Sequence, residues 1–264
     1  MIVRRAQQAI AERLKPVAGE DAMLEASFLL RANGYHSPYQ TLSETDAGAL
    51  ETMVERRLTG EPLPYILGEW EFYGLPVYVN ENVLIPRPDT ECLVEAALKL
   101  LDPAHCDVLD LCCGSGCIGI ALTACGGARV TAADISADAL ELTERNARRN
   151  GVSLTTVRSD FLDGVEGTFD LIVCNPPYLN ENEMRDRDES LRFEPALALD
   201  GGPDGLRFYR RLANAYKAYL KPGGTLLAEI GMTQRDAVTA LFEHAECLND
   251  YGGRARVVVV HEHD

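Results

Sequence analysis

Apolar residues recur at helical spacing along residues 1–60. Ile2, Ala6, Ile10 and Leu14 form one series, Met23, Ala26, Phe28 and Leu29 a second, and Leu50, Met53, Val54 and Leu58 a third. Each is the one-sided stripe of an amphipathic helix. Gly34 and Gly60 stand where helices stop. The pattern predicts a small N-terminal helical-bundle domain over residues 1–60. From Gly60 the period shortens. Glu69-Trp70-Glu71-Phe72 and Val77-Tyr78-Val79 flank a turn at Tyr73-Gly74-Leu75 and predict a β-hairpin connector over residues 61–84.

A stiff segment, Ile85-Pro86-Arg87-Pro88-Asp89-Thr90-Glu91, then leads into a helix reaching about Leu101. Beyond Asp107 short apolar runs alternate with helical stretches. Strands are expected at Val108–Leu111, Ala128–Ala133, Thr155–Arg158, Phe169–Cys174 and Thr225–Ile230, with two more around Cys247 and Val257–Val260. Helices are expected to begin at Cys117, to span Ser136–Asn150 and about Gly205–Tyr219, and to run from Gln234 to Ala245. Such alternation predicts an α/β, Rossmann-like fold over residues 85–264. Its doubly wound, mostly parallel seven-stranded sheet would take ligands at the carboxyl ends of its strands.

The overall balance narrows the partners. Of 264 residues 46% are hydrophobic, enough for a sizeable core, and the formal charge is −16. Residues 1–80 carry seven Lys and Arg against eleven Asp and Glu, and residues 81–264 eighteen against thirty. Neither part is basic, which argues against direct nucleic-acid binding through phosphates. The N-terminus lacks the apolar core of a signal peptide. The longest uncharged stretch, Leu111–Ala128, is interrupted by glycines at 114, 116, 119, 126 and 127 and reads as strand, loop and helix rather than a membrane span. Eight cysteines form no CxxC pair and have no nearby His at ligand spacing, so we expect reduced core thiols in a cytoplasmic protein and no metal.

Two strand ends carry the candidate chemistry. After Phe169–Cys174 comes Asn175-Pro176-Pro177-Tyr178. The two prolines fix φ and remove two backbone donors, and Asn175 is held extended by the proline that follows. The corner offers a side-chain amide oxygen, the Pro176 carbonyl and the Tyr178 ring, a set suited to a planar NH2 group; an ordinary rigid turn is the plainer reading. Earlier, Gly114-Ser115-Gly116-Cys117-Ile118-Gly119 matches GxGxxG between a strand and a helix, and Asp134 ends the next strand, where an acid holds ribose hydroxyls. A nicotinamide dinucleotide fits that much. Asp110 inside the first strand, Ser159-Asp160-Phe161 after the third and the Asn-Pro-Pro-Tyr corner after the fourth favour S-adenosylmethionine instead, because hydride transfer has no use for the corner. Asp134 also reads as a helix cap, Asp160 as a loop carboxylate and Phe161 as core.

With these residues the chain resembles the HemK/PrmC family, the glutamine methyltransferases of peptide-chain release factors. The match runs from about Gly60 onward, and the helical start fits the family's N-terminal domain. Besides the corner it rests on Leu84–Glu91, Asp134-Ile135-Ser136, Glu194–Leu206, Glu229-Ile230-Gly231 and Asp250-Tyr251-Gly252. The resemblance implies a class I S-adenosylmethionine-dependent methyltransferase fold and methylation of the side-chain amide nitrogen of the glutamine in the release factor's Gly-Gly-Gln motif. It also implies that Cys112, Cys113, Gly114, Ser115, Gly116, Asp134, Phe161 and Asn175 line the cofactor, with Asp110 and Asp160 beside them. Asn175, Pro176, Pro177 and Tyr178 hold the acceptor glutamine, with Asn175, Pro176 and Tyr178 catalytic. The family's usual Gly-Thr is replaced by Cys112-Cys113, harmless unless that backbone needs a positive φ. No histidine is placed as a base: His105 precedes a strand, and His261 and His263 lie in the tail. A glutamine methyltransferase of a ribosomal protein, an adenine-N6 nucleic-acid methyltransferase and a non-catalytic adapter are the alternatives.

Overall fold

The computed structural model describes residues 1–101 and 106–262. The chain divides into two compact units, Met1–Gly68 with Asp188–Phe193, and Glu69–Arg187 with Glu194–Asp264. His105 and His263 lie outside the described residues.

In the first unit, α1 (Val3–Ala18), α2 (Ala22–Ala32) and α3 (Glu44–Leu58) are followed by the short α4 (Leu63–Leu67). Ala6, Ile10 and Leu14 of α1 are buried with Ala26 and Leu29 of α2 and Leu50 and Val54 of α3, as the stripes predict; Ile2 and Met23, expected in the same stripes, are exposed near the helix starts, and Leu30 is buried in their place. Ser43 caps α3 by accepting the Asp46 N–H. A largely buried Arg57–Glu25 ion pair at 2.7 Å ties α3 to α2. The unit runs to Gly68, past the residue-60 limit expected from the pattern, because α4 buries Leu63, Tyr65 and Ile66.

The second unit opens with the hairpin of β1 (Glu69–Phe72) and β2 (Leu75–Tyr78). Tyr73 and Gly74, both at positive φ, make its two-residue turn. After α5 (Glu91–Leu98), strand and helix alternate: β3 (Asp107–Leu111), α6 (Cys117–Gly126), β4 (Arg129–Asp134), α7 (Ala137–Arg149), β5 (Thr155–Arg158) and β6 (Phe169–Cys174). The chain continues through α8 (Glu181–Arg185), α9 (Arg207–Ala215), β7 (Leu220–Glu229), α10 (Arg235–Thr239), β8 (Ala245–Asn249) and β9 (Ala255–His261). Among the described residues the large sheet has seven strands in the order β5-β4-β3-β6-β7-β9-β8. Strands β5 to β7 pair in parallel, and β9 pairs antiparallel with both β7 and β8.

Side-chain alternation assigns the faces of β3. Leu109 and Leu111 join Tyr209 and Leu212 of α9, Ile172, Leu226 and Val258 in one core, whereas Asp110 turns the other way and meets α6. The helix expected over Gln234–Ala245 is a single turn, α10. Turn hydrogen bonds at Leu241 and Phe242 and a positive φ at His244 steer the chain into β8 instead. The helix expected to reach Tyr219 is regular to Ala215 and tightens into a 3-10 turn at Tyr216–Tyr219, where buried Tyr216 packs edge-on against Phe242.

Candidate active site

Strand order reverses between β3 and β6. The crevice beyond the carboxyl ends of such a pair is where open α/β sheets take ligands. Leu111 of β3 is in register with Cys174 of β6, so the loop from Cys112 and the corner from Asn175 leave the sheet side by side. Both line one cavity of about 280 Å³, whose wall includes Cys112, Gly114, Ser115, Asp134, Phe161, Asn175 and Pro177.

The glycine loop is fastened from three sides. Fully buried Asp110 accepts the Gly119 N–H at 2.8 Å, fixing the start of α6. Burial pushes this carboxyl up to about 7. Asp134 accepts the Gly114 N–H on one oxygen and the Ser136 N–H on the other, both at 2.9 Å. Burial raises its pKa, with those backbone donors acting in opposition. Buried Asn146 donates to the Ser115 carbonyl at 2.9 Å and exchanges two hydrogen bonds with Tyr78, joining loop and hairpin. Gly116 has φ +78, and a Cβ there would meet the Thr143 side chain at 2.6 Å.

Cys112 has φ +61. The position is therefore one that favours glycine, and the cysteine carries a strain that Gly would avoid. A hydrogen bond with the Cys174 thiol, together with burial, holds the Cys112 thiol well above the usual range. Burial likewise raises Cys113, and Cys117 to about 12. These thiols stay protonated near neutral pH and are poor nucleophiles. Among the described residues the cysteines are in the reduced form, and no cluster of His, Cys, Asp and Glu is arranged to hold a metal.

At the end of β5, Ser159 accepts the Gly164 N–H at 2.8 Å and donates to the Phe161 carbonyl at 2.7 Å, shaping the turn. Phe161, at φ +60, packs its ring 5.6 Å from that of Phe208 and lies under the Arg211 guanidinium. Arg211 also pairs with Asp160 at 2.7 Å.

The Asn-Pro-Pro-Tyr corner rests on groups from distant parts of the chain. The Asn175 side-chain nitrogen donates to Thr90 Oγ1 at 3.3 Å. The Tyr178 carbonyl accepts from Gln234 at 3.1 Å, and Gly201 and Gly205 press on the same backbone. A Cβ on Gly205 would lie 2.4 Å from the Tyr178 oxygen, so only glycine fits there. Burial, reinforced by the Glu229 charge, pushes the Tyr178 phenol up to about 12.

Residues 4–68 match the family model for the PrmC N-terminal domain, and residues 89–190 that for the methyltransferase small domain. The chain is 37% identical to a release factor glutamine methyltransferase of Agrobacterium fabrum over 95% of its own length and 94% of that protein. It is 41% identical to one of Chlorobaculum tepidum over 82% and 79%. This chain belongs to the release factor glutamine methyltransferase family. Its fold is also that of a crystallised methyltransferase from Pyrococcus furiosus, 15% identical, with a TM-score of 0.57 over 84% of this chain and all of that one.

In this family member the residues singled out in the sequence fall into two groups. Cys112, Gly114, Ser115, Asp134, Asp160, Phe161, Asn175 and Pro177 line the cavity; Asp110, Cys113, Gly116, Pro176 and Tyr178 lie behind or beside that wall. Arg87, Thr90, Ile135, Leu197, Arg207, Phe208 and Arg211 also line it, and sequence reasoning assigned none of them to the site. Thr90 and Arg87 sit within the Ile85–Glu91 motif, whose stiffness was the available signal. For Phe208 and Arg211 the signal was weaker, an aromatic and a base one turn apart on α9. His261 is bonded to Thr225 at 3.0 Å.

Proposed function

We propose that this protein transfers a methyl group from S-adenosylmethionine to the side-chain amide nitrogen of the glutamine in the Gly-Gly-Gln motif of peptide-chain release factors, in the cytoplasm. The observation that carries this reading is the single cavity lined both by the Cys112–Ser115 loop with Asp134 and by Asn175 with Pro177.

The cavity's donor set fits an adenosine-bearing cofactor. Both Asp134 oxygens take backbone N–H groups and keep acceptor capacity for ribose hydroxyls. Phe161, Phe208 and Ile135 supply apolar surface for a flat base, and Gly114 and Ser115 allow close approach of the backbone. When bound, S-adenosylmethionine supplies an electrophilic methyl on a sulfonium and a neutral thioether as leaving group.

A carboxamide nitrogen is a weak nucleophile because its lone pair is delocalised into the carbonyl. The Asn175 oxygen and the Pro176 carbonyl accept its two N–H bonds and so favour positive charge developing on that nitrogen. They also turn the lone pair toward the methyl group. Tyr178 packs against the core beside the cavity wall and stiffens the corner that carries both acceptors. The nitrogen needs no strong base before attack; once it holds the methyl group it releases its extra proton to water, and the buried thiols nearby take no part. With a net charge of −16, a protein acceptor is favoured over a polyanionic one.

The test is incubation with isotopically labelled methyl donor and purified release factors, followed by mass-spectrometric location of the label. Label on the glutamine of Gly-Gly-Gln is expected. Label only on a ribosomal protein, or only on adenine in nucleic acid, would replace this reading.

A further inference from the structure

Several polar residues that the mechanism leaves unused converge on one buried cluster behind the corner. Glu229 ends β7, beside the end of β6, because Cys174 and Ala228 are in register. Its carboxyl faces the Thr90 hydroxyl, a polar neighbour that lowers its pKa, and lies 3.9 Å from the Arg256 guanidinium. Glu229 is 1% exposed and Arg256 5%, and neither lines the cavity. Arg256 also pairs with Asp89 at 3.0 Å and Asp250 at 3.7 Å, donates to the Ile230 carbonyl at 3.3 Å, and lies by the Tyr178 phenol, whose pKa it lowers. Thr90, facing Glu229, presents its oxygen lone pair to the Asn175 nitrogen.

We propose that Glu229 and Arg256 are positioning residues for methyl transfer: through Thr90 they set which end of the Asn175 amide faces the acceptor, and through the phenol they hold the Tyr178 ring. The inference rests on the functional reading above and deepens it.

The physical reason is the symmetry of a carboxamide. Oxygen and NH2 occupy nearly the same volume, so packing alone does not choose between the two orientations of Asn175. A flipped Asn175 would offer donors to an acceptor amide that also needs to donate, and attack would be lost. Thr90 Oγ1 decides the matter only if its own hydrogen is committed elsewhere, because a free hydroxyl could as easily donate to Asn175. An ionised carboxylate oxygen is acceptor-only and enforces that commitment; burial raises the Glu229 carboxyl to about 7, so the commitment is firm once the pH exceeds that value. Buried Arg256, 3.9 Å away, offsets part of the cost of placing the carboxylate there. The Asn175 nitrogen is then anchored toward Thr90, and its oxygen, at the other end of the same plane, points away from Thr90.

The test uses the full-length protein with Thr90→Val, Thr90→Ser and Glu229→Gln, and reads three quantities. Thermal melting checks that each variant is folded. Calorimetric titration with S-adenosylhomocysteine gives cofactor-site affinity. Nitrogen-15 NMR of the Asn175 side-chain NH2, assigned by its loss in Asn175→Ala, reports the amide's hydrogen bond without relying on turnover. In Thr90→Val we expect the Asn175 NH2 signals to move and sharpen as the hydrogen bond is lost. The same variant should lower kcat about 100-fold while cofactor affinity changes by less than about threefold. Thr90→Ser should restore both signals and rate, and Glu229→Gln should fall between. Unmoved Asn175 signals in Thr90→Val and Glu229→Gln would overturn the proposal, as would a loss confined to cofactor affinity. Signals that move as expected in a protein that methylates no glutamine would uphold the orienting role and sink the functional reading instead.

Discussion

Glu194 takes the Arg87 guanidinium on one carboxylate oxygen and the Ile85 backbone N–H, at 3.0 Å, on the other. Two segments more than a hundred residues apart, Ile85–Glu91 and Glu194–Leu206, are thereby joined beside the cavity that Arg87 and Pro195 both line. Glu194 is almost fully buried, whereas about a third of the Arg87 side chain remains exposed. The pair therefore acts chiefly as an anchor for the loop that carries Leu197 and Ala198.

Replacing Glu194 by Ala leaves a buried backbone N–H and a guanidinium without their acceptor. We expect a loss of about 2 kcal/mol, discounted for the solvent that reaches Arg87. Urea unfolding followed by the fluorescence of Trp70, the sole tryptophan, reads the unit that contains both residues. An unchanged midpoint would contradict the anchoring role.

Asn175→Ala removes the side-chain acceptor of the corner and leaves the glycine loop intact. Methyl transfer should fall by about 100- to 1,000-fold in kcat, the scale seen when one preorganised hydrogen-bonding partner is removed from a transition state. Cofactor affinity should weaken by no more than about fivefold. Full turnover by this variant with a release factor would remove Asn175 from the mechanism.

Asp134→Ala acts on the other half of the site. Losing a carboxylate that hydrogen-bonds ribose hydroxyls should weaken S-adenosylmethionine binding by about tenfold to 100-fold, since bonds to charged groups contribute roughly 1.5–3 kcal/mol. The melting temperature should also drop, because Gly114 and Ser136 lose their acceptor. Calorimetry separates the two effects, and unchanged affinity would reject the ribose role.

Cys112 supplies a test of backbone strain. Cys112→Gly and Cys112→Ala both delete the thiol, but Ala keeps a Cβ at φ +61. The glycine variant should be the more stable of the two by about 1 kcal/mol. Equal stability, measured by urea unfolding, would mean that the loop relaxes out of this conformation at no cost.

Asp110 gives a pH signature. Its folded-state pKa is raised to about 7 from an ordinary value of 3.8, so folding favours the protonated carboxyl. That contribution is fully present below pH 3.8 and is lost as pH rises toward about 7. In Asp110→Asn the amide oxygen would still accept the Gly119 N–H, and the side chain has nothing to titrate. The stability of the native chain relative to Asp110→Asn should therefore fall between about pH 4 and 7 and then level off. Parallel melting curves across that window check it; a difference independent of pH would show that Asp110 is not protonated by folding.

Much of this molecule follows from local pattern. Period-3.6 stripes in residues 1–60, alternating apolar runs after Asp107 and two proline-stiffened segments are enough to reach the fold class and the pairing of a glycine loop with an Asn-Pro-Pro-Tyr corner. Those features are legible because each is set by neighbours within a few residues. The short reach of α10 was not, since Gln234–Ala245 has helical spacing and its ending depends on Val238 and Phe242 meeting the sheet. The positive φ of Cys112 was raised as a question by the family's usual glycine there, but the cysteine itself does not announce the turn, and only the fold answered it.

What the amino-acid order decided alone was which elements form and which residues stand at strand ends. Tertiary structure decided what those residues touch. Strand order placed β3 beside β6 and so gave the glycine loop and the corner one cavity. Folding also brought Thr90, Glu229 and Arg256, far apart in sequence, behind Asn175 and Tyr178. The reason is physical: a buried charge or an ambiguous amide has its state set by whatever surrounds it in three dimensions, and no window of sequence contains those surroundings.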